Sequence, residues 1–471
     1  MSRPLWTSAA LIEASHGKTY GDLSAVSGVS IDTRTLQTGD LFVALEGEAR
    51  DGHEFVRLAF EKGAGAALVL THHAAELSEA GPLLAVPDVL EGLRQIGRAA
   101  RARSSAKIAA VTGSVGKTGT KEALRSVLST QAETHASVAS YNNHFGVPLT
   151  LARMPQCVQF GVFEIGMNHA GEIEPLSDMV KPHVALITTV EAVHLEFFAS
   201  VEAIADAKAE IFSGLLEGGT AVINRDNPHF DRLHAAAHAS PAGRIVSFGA
   251  HEKADIRLTD ITLFPDSSEV TVEVFGRPLF YKLGSPGRHI ALNSLGILGV
   301  VDALGADVEA AARGLASVTP PAGRGARVQL GSKGHEITLL DESYNANPAA
   351  VRAALSILSA TPVGIGGRRI AVLGDMRELG EQSTVLHAGL APEMTNNNVD
   401  LLFACGPFMK ALWDDVPASL RGAYAPDSSS LELALLEAVR SGDTVMIKGS
   451  LGSRMGPLVT ALKARFTEEN T

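Results

Sequence analysis

Cysteine is nearly absent from the 471-residue chain: only Cys157 and Cys405 occur, far apart and each inside an apolar run. Neither a disulfide framework nor a zinc site follows, and a reducing compartment fits. No uninterrupted apolar run is long enough to span a bilayer. The opening Met1-Ser-Arg-Pro-Leu-Trp6 lacks the apolar core of a secretory signal. A cytoplasmic protein with no membrane partner is expected. Basic charge is also short, with 40 Lys and Arg against 52 Asp and Glu and a net charge of −12. That excludes a general nucleic-acid binder but leaves room for a local basic pocket for an anionic metabolite. No repeat of fixed short period occurs. At 45% hydrophobic residues the chain can build ordinary cores, and its length suits about three domains at about 150 residues each.

The strongest positive signal is Lys107-Ile-Ala-Ala-Val-Thr-Gly-Ser-Val-Gly-Lys-Thr118. A short apolar run ends in a glycine loop, and a helical pattern follows with Leu124, Val127 and Leu128 in step. Strand–loop–helix units of this kind bind the phosphates of ATP or GTP. Gly113 and Gly116 let backbone N–H groups approach phosphate oxygens, and the helix N-terminus adds partial positive charge. Lys117 can reach the β- and γ-phosphates, and the Thr118 hydroxyl can ligate Mg²⁺. Val111 stands where the strict G-x-x-x-x-G-K-[ST] pattern has its first glycine, so a plain glycine turn is the blander alternative.

The rest of the chain alternates. Residues 1–105 form a first unit, with strand-like Leu41–Leu45 and Ala66–Leu70 around a helix-like Phe55–Lys62. Arg94 to Lys107 is an Arg-rich helical pattern, read as a solvated face. Residues 106–318 form a second unit. Its strands are Val158–Glu164, Val184–Val190 and Thr220–Asn224, with helical patterns between, which implies a parallel sheet with right-handed crossovers. Chemistry then belongs at the strand C-termini. Short alternating runs from about 254 to 282 predict an antiparallel excursion, and a helix through Leu292, Leu295, Gly296 and Gly299 returns to the main layer. Thr319-Pro-Pro-Ala-Gly-Arg-Gly325 is a linker. Residues 319–471 form a Rossmann-like third unit on strands Glu336–Asp341, Arg369–Gly374, Leu401–Cys405 and Thr444–Lys448. It lacks a G-x-G-x-x-G after its first strand.

Polar residues fall at several strand ends. Glu164 offers hard oxygen for Mg²⁺ beside the phosphate loop, against a plain surface Glu. His194 is open between metal ligand, proton-transfer group and polar loop residue, and Lys208 between a functional and a solvated helix lysine. Asn142 and Asn143 suit a polar substrate or a helix cap. Asp341 suits a ribose or phosphate-linked group, or simple turn chemistry.

Taken together the blocks resemble the Mur ligase family of peptidoglycan synthesis, across nearly the whole chain. Thr112-Gly-Ser-Val-Gly-Lys-Thr118 is similar to the family's short phosphate loop. Ser140-Tyr-Asn-Asn-His144, Phe163-Glu-Ile-Gly166, His194, Ala207-Lys-Ala-Glu210, Arg288-His-Ile-Ala-Leu-Asn293, Gly323-Arg324 and Asp341-Glu-Ser-Tyr-Asn-Ala-Asn-Pro348 resemble its other blocks in order. The block from Asp341 and Leu373-Gly-Asp-Met-Arg-Glu-Leu-Gly380 resemble the branch that adds D-alanyl-D-alanine. No Asp-Asn-Pro-Arg-like block of the branch adding the third amino acid is present. Ser30-Ile-Asp-Thr-Arg34, Gly39-Asp-Leu-Phe42 and Asp51-Gly-His53 resemble the uridine-nucleotide unit common to both branches.

The resemblance implies an α/β, three-domain Mur ligase architecture: a UDP-substrate unit, a P-loop central domain of mainly parallel sheet, and a Rossmann-like C-terminal domain for the amine. It implies ATP-dependent ligation of D-alanyl-D-alanine to UDP-N-acetylmuramoyl-tripeptide through an acyl phosphate, with two Mg²⁺. Thr112, Gly113, Ser114, Val115, Gly116, Lys117 and Thr118 would hold phosphates. Asn293, Arg324 and Asp341 would hold the rest of the nucleotide. Thr118, Glu164, His194 and Lys208 would serve the metals, Lys208 as a carbamate formed with CO₂. Lys117, His194 and Lys208 would be catalytic, and Asp32, Thr33, Arg34, Asn142, Asn143, Tyr344 and Asn345 would touch substrates. A monomer is expected.

Overall fold

The computed structural model describes residues 4–47, 50–138, 140–332 and 334–468. Met1, Ser2 and Arg3, part of the stretch read for a secretory signal, lie outside them. Three sheets follow one another along the chain. The first holds β1 (Lys18–Tyr20), β2 (Gly28–Ser30), β3 (Asp40–Val43), β4 (Ala66–Leu70) and β5 (Leu83–Val86), in the order β1-β5-β4-β3-β2. Only β1 pairs antiparallel.

The second sheet has nine strands: β6 (Lys107–Thr112), β7 (Thr134–Ala136), β8 (Phe160–Glu164), β9 (Val184–Ile187), β10 (Gly219–Asn224), β11 (Ala242–Gly249), β12 (Ile256–Leu263), β13 (Ser268–Val274) and β14 (Arg277–Leu283). Pairing is parallel from β7 through β8, β6, β9, β10 and β11 to β12. The β12–β13–β14 meander is antiparallel, where the alternating pattern placed it. β9 and β10 are buried along their whole length, as strands covered on both faces must be.

The third sheet is β15 (Ala326–Leu330), β16 (Ile337–Glu342), β17 (Arg369–Gly374), β18 (Leu401–Cys405), β19 (Arg421–Ala425) and β20 (Thr444–Lys448), ordered β15-β16-β20-β17-β18-β19. It is parallel except for β15. Its outer strands β15 and β19 escape the sequence reading because edge strands such as Ala-Arg-Val-Gln-Leu are only partly buried and carry no clean apolar run.

Register sets the rim of the central sheet. Val111 lies beside Glu164, Thr112 beside Ile187, and Ile187 beside Ile223. The C-terminal ends of β6, β8, β9 and β10 therefore open on one edge, where loops can converge.

The first and second sheets are welded by a common core. Leu149 and Ala152, on the helix Gly146–Ala152, pack in one apolar cluster with Trp6, Leu11, Leu93 and Ile96. The Trp6 indole N–H donates to Ala152 O at 2.9 Å, and the Arg103 guanidinium lies 3.5 Å over the ring. Arg153 Nε donates to Val29 O at 2.6 Å. The helix Val89–Ala102 approaches closely because residue 97 has no side chain: a Cβ there would sit 3.1 Å from Pro148 O.

This packing corrects the reading of Arg94 to Lys107 as a solvated face for Arg101 and Arg103, while Arg94 and Arg98 keep 32% and 48% of their side chains exposed. Arg101 donates to Val180 O at 2.7 Å and Lys181 O at 2.9 Å, closing the carbonyl end of the helix Ile173–Val180. Arg103 is spent on Trp6. Cys157 is exposed rather than held in an apolar run, while Cys405 is buried, and both thiols are free.

Trp6→Ala removes the indole from this weld together with its hydrogen bond. A loss of about 3–5 kcal/mol in unfolding free energy is expected, read as a lowered urea midpoint.

Candidate active site

The phosphate loop closes by sterics. Gly113 has φ of +146°, and a Cβ there would meet Thr188 Oγ1 at 2.0 Å; Gly116 has φ of +86°, and a Cβ there would meet Asn293 Nδ2 at 2.4 Å. Both positions require glycine. Lys117 opens the helix Lys117–Ser129 and curls back so that Nζ donates to Gly113 O at 2.6 Å. Ser114 Oγ donates to Glu191 O at 3.1 Å. Burial lowers the Lys117 pKa; Glu164 opposes that shift and the Arg324 guanidinium adds to it.

Glu164 ends β8 with 1% of its surface exposed. Asn142 Nδ2 donates to its Oε1 at 2.7 Å, while its Oε2 is buried with no partner. The backbone N–H of Glu164 donates to Ser137 Oγ at 3.3 Å. Thr118 Oγ1 lies 3.4 Å from Ser140 Oγ. A buried, unpartnered carboxylate oxygen and a threonine hydroxyl lining one cleft are hard-oxygen donors that fit a divalent cation.

Lys208 lies on the helix Val201–Ala209 and is 2% exposed. Its ammonium makes no hydrogen bond or ion pair with any described residue. Burial, reinforced by the charge of Lys117, holds its pKa well below the usual lysine value. The solvated-lysine alternative is therefore excluded. Two residues on, Glu210 accepts from the N–H groups of Gly171 at 2.7 Å, Ile173 at 3.1 Å and Glu174 at 3.3 Å. It caps the helix Ile173–Val180.

The third sheet supplies the opposite wall. Arg324 donates to Ser140 Oγ at 3.0 Å and stacks 4.0 Å over Tyr344. Lys448, 3% exposed, donates to Glu342 Oε2 at 3.1 Å and to Asn345 O at 3.0 Å. His194 Nδ1 meets Glu378 Oε2 across the interface at 2.5 Å, and both residues have positive φ, 55° and 62°. That bond holds the Glu378 carboxyl below its usual pKa.

Most of these groups, though not Lys208, Glu210 or Glu378, line one cleft of about 1200 Å³, bordered by Ser114 to Thr118, Asn142, Asn143, Glu164, His194, Asn293, Arg324, Tyr344 and Asn345. Asn143 also serves as a cap, its Oδ1 accepting from Phe145 N at 3.2 Å and Gly146 N at 3.0 Å, so its cap reading is realised. Thr112 and Gly113 lie just behind the lining.

Of the expected site residues, Asp32, Thr33, Arg34, Asp341 and Lys208 do not reach the cleft lining, Lys208 lying buried near enough to feel the charge of Lys117. Asp32 and Arg34 pair with each other at 2.6 Å, and the Thr33 carbonyl accepts from Lys62; all three lie off the cleft. Asp341 is 5% exposed, and its carboxylate accepts from Gly323 N at 3.2 Å and Ser343 Oγ at 2.6 Å. In this structure turn chemistry accounts for it.

Several lining residues went unread. Glu191, which burial pushes above the usual carboxylate range, Asn224 and Asn227 follow strands already recognised, so their strand-end position was the available signal. Glu342 and Lys448 also border the cleft from strand ends, whereas Arg94 and Arg98 reach it through packing that no local pattern announces.

Models of one family match three consecutive stretches: the "Mur ligase family, catalytic domain" over residues 25–112, the "Mur ligase middle domain" over 111–301 and the "Mur ligase, glutamate ligase domain" over 326–451. The UDP-N-acetylmuramoyl-tripeptide--D-alanyl-D-alanine ligase of Escherichia coli is 33% identical, the alignment covering 98% of this chain and 99% of that protein. MurF from Acinetobacter baumannii superposes with a TM-score of 0.83 at 30% identity, covering 98% and 100% of the two chains. The MurF ligase of Thermotoga maritima, solved with ADP, gives 0.77 at 26% identity over 94% and 98%.

Gly116→Ala forces a Cβ against Asn293 at a φ that alanine disfavours. A nucleotide affinity lowered by about tenfold or more is expected, with the fold retained, in a titration with a fluorescent ATP analogue.

Proposed function

The chain belongs to the Mur ligase family, and from that premise we propose that it joins D-alanyl-D-alanine to UDP-N-acetylmuramoyl-tripeptide, cleaving ATP to ADP and phosphate. The observation that carries this is the likeness to a ligase of that name over 98% of the chain, third unit included. The reaction has two steps. An oxygen of the tripeptide carboxylate attacks the γ-phosphorus, and the bond to the departing ADP breaks. The dipeptide amine then attacks the acyl carbon, the bond to phosphate breaks, and the amine loses a proton. Both steps gather negative charge on phosphoryl oxygens, so catalysis is mostly positioning and cationic clamping.

The residues divide that work. Lys117 and the loop N–H groups hold the β- and γ-phosphates. Arg324, aimed by Tyr344 and Ser140, meets them from the third unit, and Asn293 backs the loop. Thr118, Glu164, His194 and Lys208 would hold Mg²⁺, which would neutralise phosphoryl charge when bound. Lys208 suits a carbamate: a buried, unpaired amine with a lowered pKa is nucleophilic toward CO₂, and the product offers oxygens where the ammonium offers none. Tyr344 and Asn345 border the amine substrate. Units 1–105, 106–318 and 319–471 bind UDP substrate, nucleotide and amine in turn. The chain is proposed to act as a monomer, and a nucleotide-linked substrate supports a cytoplasmic location.

Phosphate release should require ATP, UDP-N-acetylmuramoyl-tripeptide and D-alanyl-D-alanine together, and free D-alanine should be a poor acceptor. Hydrolysis independent of the two substrates would favour a nucleotide switch. Use of diaminopimelate or lysine on the dipeptide precursor, with D-alanyl-D-alanine ignored, would move the chain one step earlier.

Lys208→Ala should lose at least about a hundredfold in kcat, on the scale of removing one preorganised charge-stabilising group. Short carboxylates such as formate should partly restore it, whereas Lys208→Met, which fills the space, should not be rescued. Full activity in the Ala variant would reduce Lys208 to a packing residue.

A further inference from the structure

Arg94 and Arg98 stand four residues apart on the helix Val89–Ala102, hence on one face. That face borders the same cleft as Asn143, His144 and Asn168. The close approach at Gly97 to Pro148 O sets it there. The two guanidiniums share a single carboxylate, Glu91: Arg98 Nη1 is 2.8 Å from Oε1 and Arg94 Nη1 is 3.7 Å from Oε2. Gln95 Nε2 also donates to Glu91 Oε1 at 2.7 Å. Glu172, which lines the same cleft, is already engaged, accepting from Asn168 N at 2.7 Å and pairing with His169 at 2.9 Å. The wall therefore carries positive charge in excess, in a chain whose net charge is −12.

The phosphate loop does not need these arginines, because Lys117 and Arg324 already face it. The side chains are 32% and 48% exposed, so their donors remain accessible. Guanidinium forks bind carboxylates and phosphates in pairs of hydrogen bonds, most strongly where water is partly excluded. The helix links the first sheet to β6, and so lies between the unit read as the uridine site and the phosphate loop.

We propose that Arg94 and Arg98 form an oxyanion-binding wall for the UDP-linked substrate, taking its diphosphate or a carboxylate of its peptide. This rests on the ligase reading above. The wall would orient the substrate so that its terminal carboxylate meets the γ-phosphate, using binding energy remote from the reacting atoms.

Calorimetric titration with UDP and with UDP-N-acetylmuramoyl-tripeptide tests it on the full chain. The double variant Arg94→Gln, Arg98→Gln should bind the tripeptide substrate about tenfold or more weakly, with ATP affinity and melting temperature unchanged. An equal loss toward UDP assigns the wall to the diphosphate, and a loss confined to the tripeptide assigns it to a peptide carboxylate. Unchanged affinity in both arms overturns the wall. Glu91→Gln removes the negative charge that competes for both guanidiniums and should bind the substrate at least as tightly as wild type. A loss matching that of the arginine variant would mark the cluster as structural and overturn the proposal. Wild-type protein that binds neither UDP ligand overturns the ligase reading as well, whereas wild-type binding retained by the arginine variant overturns the wall alone.

Discussion

One oxygen organises the site: the unpartnered, buried Oε2 of Glu164. A buried carboxylate without compensation costs several kcal/mol, so the surrounding residues read as its compensation. Asn142 donates to the other oxygen. Lys117 lies near enough to feel the charge. Behind them Lys121, fully buried, donates to Ser137 O at 2.7 Å and pairs with Glu122. Ser137 Oγ in turn accepts from Glu164 N. The helix after the phosphate loop thus fixes both the loop and the strand end that presents the carboxylate. What stays uncompensated is aimed at the cleft.

The three units are joined in two different ways. The first and central sheets share an apolar cluster that contains Leu149 and Ala152, and apolar burial is non-directional and costly to open. Among the described residues no such cluster joins the third sheet to the others; its clusters are its own. It touches the central unit through polar contacts such as Arg324 to Ser140, Glu378 to His194 and Arg327 to Pro265 O. Contacts of that kind exchange readily with water, so the linker through Pro320 and Pro321 can act as a hinge. A wall held by polar contacts beside two joined by an apolar core would suit a reaction that must admit three substrates and then exclude water from an acyl phosphate.

How much was legible in the sequence follows from where the information lies. The phosphate loop and Glu164 were legible because strand, loop and helix are local, and a strand-end carboxylate in the same sheet inherits its meaning. β4, β17, β18 and β20 were readable as continuous apolar runs. His194 and Lys208 were not legible from periodicity, since each looks like an ordinary loop or helix residue. Only the ordered blocks of the family resemblance singled them out, and only the fold shows Lys208 to be buried and unpaired. Asp341 shows the opposite case: an acid at a strand end invites a ligand reading, yet its oxygens are engaged by the turn that follows and by the linker.

Arg94 and Arg98 show most clearly what sequence alone withholds. Charge spacing on a helix states that two arginines share a face, but the side that face meets depends on docking. Here docking turns on one contact, Gly97 against Pro148, and the partner helix begins at Gly146 immediately after the loop bearing Asn142 and Asn143. The same loop therefore presents Asn142 to Glu164 and seats the helix that carries the arginines. A chain acidic overall can in this way concentrate cations on the walls of a single cleft, Lys117 and Arg324 at one part and Arg94 and Arg98 at another. Its net charge governs its behaviour toward polyanions at large, while the cleft answers to local geometry.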